Sequence, residues 1–267
     1  MTIPNILSIA GSDPSGGAGI QADIKAISAN GGYAMAVITA LTAQNTMGVR
    51  GMWPVPPAFI ADQICAVFDD VRVDAVKIGM VGGAAAAEVV ARELRAGAAR
   101  NVVLDPVMVA KGGDRLLPQD AVGALIARLL PLTDILTPNL PEAGDLLGRP
   151  APQTMAQMED CATALLALGP RAVLLKGGHL DVADSPDLLA SADGMVWLPG
   201  TRTPTRNTHG TGCTLSSALA AQLALTGDLL VAARAAKAYI ARAIAAADTL
   251  SVGRGHGPVR HFLTGDI

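Results

Sequence analysis

Residues 206–214, RNTHGTGCT, place two glycines and several hydroxyl side chains directly before an alanine-rich stretch. The first backbone N–H groups of a helix are free and carry partial positive charge, so a helix that begins here can bind an anion. Gly210 and Gly212 would let the backbone close around a phosphoryl group, whose negative charge must be stabilised during transfer. The segment therefore predicts a phosphate site at a helix start, with the thiol of Cys213 beside it.

A second glycine-rich segment, GSDPSGGAG at residues 11–19, lies between an apolar run and a helix-like stretch. Its glycines would allow the backbone to approach a ligand closely, although a flexible turn is an equally good interpretation. The spacing matches neither GxGxxG nor GxxxxGK(S/T), so a dinucleotide fold and a Walker-type NTPase are not supported. Asp23, four residues into the following helix, could cap that helix or reach a ligand.

The side chain of Gln44, in the segment TAQNT, is a neutral amide at a predicted strand end. An amide donates and accepts hydrogen bonds side by side. That pattern matches the ring nitrogen and exocyclic amine of an aminopyrimidine, as Asn and Gln match adenine. An amide that satisfies loop backbone groups is the favoured alternative when Gln44 is considered alone.

Four charged or polar residues follow other predicted strands. Asp105 could orient Mg²⁺ through water, since this ion takes few protein ligands, or it could cap a helix. Asn139 and Glu142 have the spacing of a helix start, where Glu142 is either an acid favoured by the helix dipole or a second magnesium carboxylate. Lys176 precedes two glycines and could contact a phosphate or extend to solvent; Lys77 is a weaker candidate of the same kind, because it lies inside its apolar run.

These residues lie at the ends of apolar runs that alternate with longer helix-like stretches. The runs are nearly continuous in apolar residues, as in parallel strands covered on both faces, so the order predicts a doubly wound α/β sheet with its ligands beyond the carboxyl ends of the strands. The predicted strands cover 5–10, 34–42, 74–79, 101–105, 134–138 and 171–177, and the predicted helices cover 18–29, 57–69, 83–97, 118–130, 154–168, 213–226 and 228–248. Residues 178–205 are expected to form a solvent-facing hairpin region.

Composition limits the class of protein. The chain has 267 residues, 51% of them hydrophobic and 16% charged, which predicts a large buried core in a single domain spanning residues 1–267. A net charge of −3 and 3% aromatic residues argue against nucleic acid or a membrane surface as the main partner. The longest apolar runs are too short for a spanning helix. Three widely spaced cysteines fit free thiols in the cytoplasm, and the four histidines are expected to be surface or loop residues.

The chain resembles the ribokinase-like superfamily and, within it, the hydroxymethylpyrimidine/phosphomethylpyrimidine kinases of thiamine synthesis. The resemblance covers essentially the full length. Seven motifs occur in the family's order, which makes the set specific where each alone would be weak. They are IAGSDPSGGAGIQADIK (9–25), TALTAQNT (39–46), KIGM (77–80), DPVM (105–108), TPNLPEA (137–143), LLKGGH (174–179) and NTHGTGCTLSSA (207–218).

The resemblance implies a three-layer ribokinase-like fold, a homodimer, and the use of ATP with Mg²⁺. It implies phosphorylation of 4-amino-5-hydroxymethyl-2-methylpyrimidine, first to the monophosphate and then to the diphosphate, with pyridoxal kinase as the alternative. Carried over by motif, the implied aminopyrimidine contacts are Gln44, Gly11, Asp23, Met80 and Val107; the ATP contacts are Lys176, Asn139 and Thr208; the metal residues are Glu142 and Asp105; and the anion hole and catalytic position are Gly210, Thr211, Gly212 and Cys213.

An aspartate serves as the base at the position of Cys213 in much of this superfamily. A thiol at a helix start can have a lowered pKa and act as a thiolate base for an alcohol. The acceptor of the second step is a phosphate that is already ionised, so it needs no base and would be repelled by a carboxylate. We therefore expect Cys213 to serve both steps; the alternative is that it only packs there.

Overall fold

The computed structural model describes residues 2–108 and 119–263. Its main sheet has eight strands in the order β10-β9-β8-β7-β6-β5-β1-β2, and β3 and β4 form a separate antiparallel ribbon. Neighbouring strands in the run β8-β7-β6-β5-β1-β2 pair in parallel. Strands β9 and β10 form a hairpin that adds to the β8 end of this run, and both of its pairings are antiparallel. The strands are β1 (Asn5–Ala10), β2 (Tyr33–Ile38), β3 (Ala40–Asn45), β4 (Gly48–Pro54), β5 (Ala75–Ile78), β6 (Val102–Leu104), β7 (Ile135–Leu136), β8 (Ala172–Leu175), β9 (Asp187–Ser191) and β10 (Gly194–Leu198).

Helices cover both faces of the main sheet. They are α1 (Gly19–Ala29), α2 (Pro57–Phe68), α3 (Ala84–Ala96), α4 (Gln119–Ala124), α5 (Leu140–Leu147), α6 (Met155–Leu166), α7 (Thr211–Thr226) and α8 (Leu229–Ala245). The chain continues from α4 as a π-helical turn, Leu125–Leu129, and a 3₁₀ turn, Leu130–Leu132; a further 3₁₀ turn covers Ala247–Thr249. The predicted start of the fourth helix at residue 118 lies outside the described residues.

Neighbouring residues of one strand supply two separate cores. On β1, Leu7 packs in a cluster with α2, α3, α5 and α6, whereas Ile6 packs in a cluster with α1, α7 and α8. Successive side chains of a strand point to opposite faces, so a run that is apolar throughout must be covered on both sides. The doubly covered α/β sheet predicted from the apolar runs is therefore confirmed. Within the described ranges, no helix is long and apolar enough to cross a bilayer.

Two predicted elements differ from the structure. The run 34–42 is not one strand, because β2 ends at Ile38 and the chain leaves the sheet to pair as β3 with β4. In its second half, Leu41 lies on an exposed face of the ribbon. The region 178–205 contains the expected hairpin, but β9 is largely buried because β8 pairs with it.

Parallel strands bring their carboxyl ends to one edge of the sheet, and the polar residues predicted to form a site follow these ends. Gly11 follows β1, Gly79 follows β5, Asp105 follows β6, Asn139 comes three residues after β7, and Lys176 follows β8. The start of α7 reaches the same edge, because a Cβ atom built on Gly212 would lie 3.3 Å from both Asp105 and Lys176.

Candidate active site

The glycine segment before α7 forms the expected helix start. Gly210 adopts a left-handed conformation (φ 75°) at the position before the first helical residue, Thr211. The Thr211 hydroxyl donates 2.7 Å to the carbonyl oxygen of Thr208, which fixes the turn. Sixteen residues of helix follow. The first N–H groups of a helix of this length form an anion site.

The first glycine segment packs directly on this helix start. A Cβ atom on Gly210 would lie 1.7 Å from the carbonyl oxygen of Gly17, so only glycine fits there. His209 Nε2 lies 2.7 Å from Asp13 Oδ2, and both side chains are buried. Burial acts to raise the pKa of Asp13, but hydrogen bonds from His209 and Ser15 outweigh it and the pKa is lowered. The two glycine segments are therefore packed directly against each other, through Gly210 and Gly17 and through His209 and Asp13.

All four histidines lie outside the named helices and strands, as expected of surface or loop residues, but two of them are buried. His209 is buried against Asp13, as described above. His261 is also buried, and its ring nitrogen lies 3.1 Å from the Thr214 hydroxyl. Burial lowers the pKa of His261 to about 4. Tertiary packing, and not the local sequence, buries both rings.

A lysine and two carboxylates meet beside the start of α7. Lys176 Nζ donates 2.9 Å to Asp105 Oδ1 and lies 3.9 Å from Glu142 Oε2. A Cβ atom built on Gly212 would lie 3.3 Å from both Asp105 Oδ2 and Lys176 Nζ. The ends of β6 and β8 and the start of α7 thus converge within a few ångströms, which places the anion site against one positive and two acidic groups.

Asn139 and Glu142 form a capping box at the start of α5. The Asn139 side chain accepts from the backbone N–H of Glu142 at 2.8 Å, and Glu142 Oε2 accepts from the backbone N–H of Asn139 at 2.8 Å. Burial raises the pKa of Glu142 to about 7; Lys176 opposes this shift and Asp105 adds to it. Both predicted roles, helix capping and a carboxylate at the site, are compatible with this one side chain.

Cys213 lies in the first turn of α7 and is half-buried. Burial raises the pKa of its thiol to about 11; Lys77 lowers it, while Asp23 and Asp105 raise it further. The expectation of a lowered pKa at a helix start is therefore wrong for this protein, because desolvation and two nearby carboxylates exceed the effect of the helix and of one lysine. The thiol is neutral at neutral pH.

The residues implied for the aminopyrimidine surround the ends of β1, β5 and β6. Gly11 and Met80 are in contact, since a Cβ atom on Gly11 would lie 2.2 Å from Met80 Cε. Val107 is half-buried, and its backbone N–H donates 2.8 Å to the Asp105 carbonyl oxygen. Gln44 lies on the ribbon and accepts from the Thr42 hydroxyl at 3.3 Å.

The ribbon is attached to the first glycine segment on the face that carries Gln44. The Thr42 hydroxyl also approaches the carbonyl oxygen of Ser12, at 2.7 Å. Residues two apart in a strand share a face, so Gln44 lies on the same side of the ribbon as this contact. Five residues were implied as pyrimidine contacts. The structure brings four of them, Gly11, Met80, Val107 and Gln44, to the same edge of the main sheet.

Asp23 does not lie at the surface of this site. Its side chain is fully buried, and its two carboxylate oxygens accept from Lys77, Ser8 and Ser217. The expectation that Asp23 contacts the substrate is wrong, because its hydrogen-bonding capacity is used inside the protein. Lys77 is also not available to a phosphate. A lysine within the apolar run DAVKIG was the sequence signal for a buried ion pair, since a buried charge requires a partner.

Comparison with known proteins agrees with this geometry. The sequence model of a family described as phosphomethylpyrimidine kinase matches residues 13–260. The chain belongs to the phosphomethylpyrimidine kinase family. The hydroxymethylpyrimidine/phosphomethylpyrimidine kinase of Salmonella typhimurium is 52% identical to it over 258 residues, which cover 97% of each chain. As a member of this family the protein is a kinase, a phosphotransferase.

Solved structures of kinases share its fold. A phosphomethylpyrimidine kinase from Clostridium difficile 630 superimposes with a TM-score of 0.80 at 41% identity and covers 91% of this chain and all of its own. The pyridoxal kinase of Bacillus subtilis, solved as an ADP complex, has a TM-score of 0.90 at 34% identity and covers 97% of this chain and 98% of its own. The predicted ribokinase-like fold is confirmed.

The donors for a metal ion in this kinase are few. In the part of the chain that the structure describes, no group of three or more His, Cys, Asp or Glu side chains could hold a metal. Among the described residues, Asp105 and Glu142 supply the carboxylates beside Lys176, and both are buried. Because Mg²⁺ keeps several waters and is bound through one or two carboxylates together with substrate phosphates, this donor set fits Mg²⁺.

Proposed function

We propose that the protein phosphorylates 4-amino-5-hydroxymethyl-2-methylpyrimidine with ATP, first to the monophosphate and then to the diphosphate, in thiamine biosynthesis. The observation that carries the proposal is the position of Gly212, from which a Cβ atom would lie 3.3 Å from both Lys176 and Asp105. A helix start, a lysine and a carboxylate thus meet where a phosphoryl group would be transferred. Family membership supports this reaction.

Lys176 and the first N–H groups of α7 would stabilise the charge on the transferring phosphoryl group. In the first step the hydroxymethyl oxygen forms a bond to the γ-phosphorus as the bond to the β-phosphate oxygen breaks, and ADP leaves. The hydroxyl proton must leave the oxygen, and the proposed acceptor is the minor thiolate form of Cys213, which becomes the neutral thiol. In the second step a phosphate oxygen of the monophosphate attacks, and the neutral thiol offers no negative charge to repel it.

The remaining proposed contacts complete two subsites. Gln44 would pair with the aminopyrimidine edge, with Gly11, Met80 and Val107 around the ring. Asn139 and Thr208 would contact ATP. Asp105 and Glu142 would hold Mg²⁺, which when bound neutralises charge on the phosphates.

We further propose a homodimer formed through the ribbon. Its face opposite Gln44 is apolar and uncovered: Leu41 and Trp53 are paired across the two strands and are 49% and 73% exposed. Phe59, on α2, is 57% exposed. Exposed apolar groups of this size are typical of interfaces. The eight-stranded main sheet takes strands from Asn5 to Leu198, which supports one kinase domain over residues 1–267. The three free cysteines support action in the cytoplasm.

A pyridoxal kinase activity is the second candidate, because the B. subtilis enzyme of that name shares the fold with a TM-score of 0.90. One assay separates the two: ATP and Mg²⁺ are supplied with hydroxymethylpyrimidine, with its monophosphate, or with pyridoxal, and the phosphorylated products are identified by mass. We expect both pyrimidines to be phosphorylated with a kcat/KM at least about tenfold above that for pyridoxal. Phosphorylation of pyridoxal alone would overturn the proposal.

A further inference from the structure

An ion pair lies inside the protein beneath the candidate active site. Lys77, in the middle of β5, places its Nζ atom 2.8 and 2.9 Å from the two carboxylate oxygens of Asp23 on α1. Both side chains have an exposed fraction of 0%. Neither group is required by the reaction as described above, and neither can reach solvent.

Two serines extend this pair to the other elements that carry the site. The Ser8 hydroxyl donates 2.6 Å to Asp23 Oδ2, and Ser8 is the neighbour of Lys77 in the β1–β5 register. The Ser217 hydroxyl donates 2.8 Å to Asp23 Oδ1. Asp23 therefore joins two central strands to α1 and α7 through three buried partners.

The position of Ser217 connects this cluster to the reacting end of α7. Ser217 follows Cys213 by four residues, so the two lie on the same face of the helix, one turn apart. The hydrogen bond from Ser217 to Asp23 thus anchors α7 one turn behind its first N–H groups. A shift of this anchor would move the anion site relative to Lys176 and Asp105.

The ammonium group of Lys77 reaches the carboxyl edge of the sheet. A Cβ atom on Gly79 would lie 2.7 Å from Lys77 Nζ, so the charge lies beside the backbone that leads from β5 to Met80. Lys77 is also the group that most strongly favours the ionised form of Cys213. Its charge therefore acts on the place where negative charge develops.

Stability does not account for this pair. Removing two charges from water costs several kcal/mol per ion, and well-packed apolar residues often replace such a pair with no loss of stability. The residues beside Lys77 in β5 are apolar and fully buried, so an apolar side chain would suit its position in the sheet. A role in the reaction explains why charges lie here.

We propose that Lys77 and Asp23 are positioning residues for phosphoryl transfer. Asp23 holds α7 against α1 through Ser217, and Lys77 supplies a fixed positive charge at the carboxyl end of β5. This proposal rests on the placement of the reacting group at the start of α7 that the proposed function makes.

The decisive variant is the double substitution Lys77→Met with Asp23→Asn. It removes both charges but leaves an amide that can still pair with Ser8 and Ser217. We expect the variant to fold, as judged by thermal unfolding, and kcat for both pyrimidine acceptors to fall by at least about tenfold while KM for ATP changes less than about threefold. A folded variant whose kcat stays within about threefold of the parent would overturn the role of the charge.

Ser217→Ala tests the anchor separately, because it deletes one hydroxyl and keeps the ion pair. It also decides the question if the double variant does not fold. We expect kcat to fall by roughly fivefold with KM unchanged, and an unchanged kcat would overturn the anchor. Arg171→Met is the matched control: it removes the cation of an exposed ion pair with Asp134, 2.8 Å long, and should leave kcat unchanged.

A readout without substrate separates this proposal from the proposed function. The rate of Cys213 alkylation by iodoacetamide, resolved from Cys65 and Cys161 by peptide mass, reports the thiolate fraction. Lys77 acts on the thiol more strongly than Asp23, which opposes it, so loss of both charges in the double variant should slow this rate, whichever acceptor the enzyme uses. An unchanged rate would overturn the electrostatic part of the proposal.

Discussion

Lys176 donates a 2.9 Å hydrogen bond to Asp105, and its Nζ atom lies 3.9 Å from Glu142. One ammonium group thus lies between the only two carboxylates that the described part of the site offers to a metal ion. In the protein without ligands burial raises the pKa of Glu142 to about 7, and the charge of Lys176 offsets only part of this shift. The ionisation of Glu142 is the quantity that ATP and Mg²⁺ should change.

We predict that Glu142 destabilises the ligand-free protein as pH rises. Its pKa is about 7 in the folded protein and 4.5 in an unfolded chain, so the folded state retains a proton that the unfolded state has lost between these pH values. Stability from this group is therefore present below about pH 4.5 and lost as pH rises to about 7, by up to about 3 kcal/mol. Glu142→Gln, which can still accept the cap hydrogen bond, should be the more stable protein at pH 8 but not at pH 4.5. Urea unfolding at both pH values measures this difference; equal stability differences at the two would contradict it.

Gly210→Ala should abolish most phosphoryl transfer. The added Cβ atom would lie 1.7 Å from the Gly17 carbonyl oxygen, so the start of α7 must move away from the first glycine segment. We expect kcat to fall by at least about a hundredfold. Gly227→Ala is the matched control at the other end of α7. Its φ of 67° is similar, but no atom lies within 4 Å of the added Cβ, so it should cost about 1 kcal/mol in unfolding free energy and leave kcat intact. Equal kinetic effects of the two variants would rule out the packing argument.

Gln44→Ala should weaken binding of the pyrimidine and not of ATP. Loss of the paired donor and acceptor is worth about 1–3 kcal/mol, or roughly 10- to 100-fold in KM for the pyrimidine. Asn45→Ala is the control, because Asn45 is the neighbouring amide, is exposed, and caps only the ribbon turn through the backbone N–H of Met47. Steady-state kinetics with each substrate varied in turn gives the two KM values. A larger effect of Asn45→Ala would contradict the assignment of Gln44.

Substitutions of Cys213 should affect the two steps differently. Cys213→Ser removes a proton acceptor and should impair phosphorylation of the alcohol more than that of the monophosphate. Cys213→Asp places a charge beside an ionised acceptor and should impair the second step more. Because the pKa of the thiol is about 11, the cysteine-dependent part of the first step should increase from pH 7 to pH 9. Each step is followed separately by product mass, and equal losses in both variants would show that Cys213 only packs there.

Trp53→Lys should weaken the proposed dimer. Trp53 is 73% exposed on the ribbon face opposite Gln44, and a charge there would have to be buried on association. Light scattering across a dilution series should show a dimer for the parent and a shift toward monomer for the variant. Met195→Lys, at an apolar position on β10 that is 41% exposed, is the control and should not change the mass. A parent protein that is monomeric at all concentrations would contradict the dimer.

Much of the site could be predicted from the sequence because its chemistry is local. The glycines before α7 and the Asn139–Glu142 spacing specify a helix start and a capping box through contacts within a few residues. Strand ends were also predictable, since apolar runs covered on both faces bring polar residues to one edge. The ribbon was not, because the apolar run 34–42 has no signal at which β2 ends and β3 leaves the sheet.

The sequence by itself determined which groups are available: a glycine-rich helix start, a lysine and carboxylates at strand ends, and the amide of Gln44. Only the tertiary structure decided whether each group is buried and whether it is ionised. Asp23 lies inside the protein because Lys77, on a strand 54 residues away, pairs with it. The Cys213 thiol has a raised pKa because packing removes water from it and adds carboxylates. Position along the chain sets local geometry, whereas burial and charge at a site depend on residues that are distant in sequence.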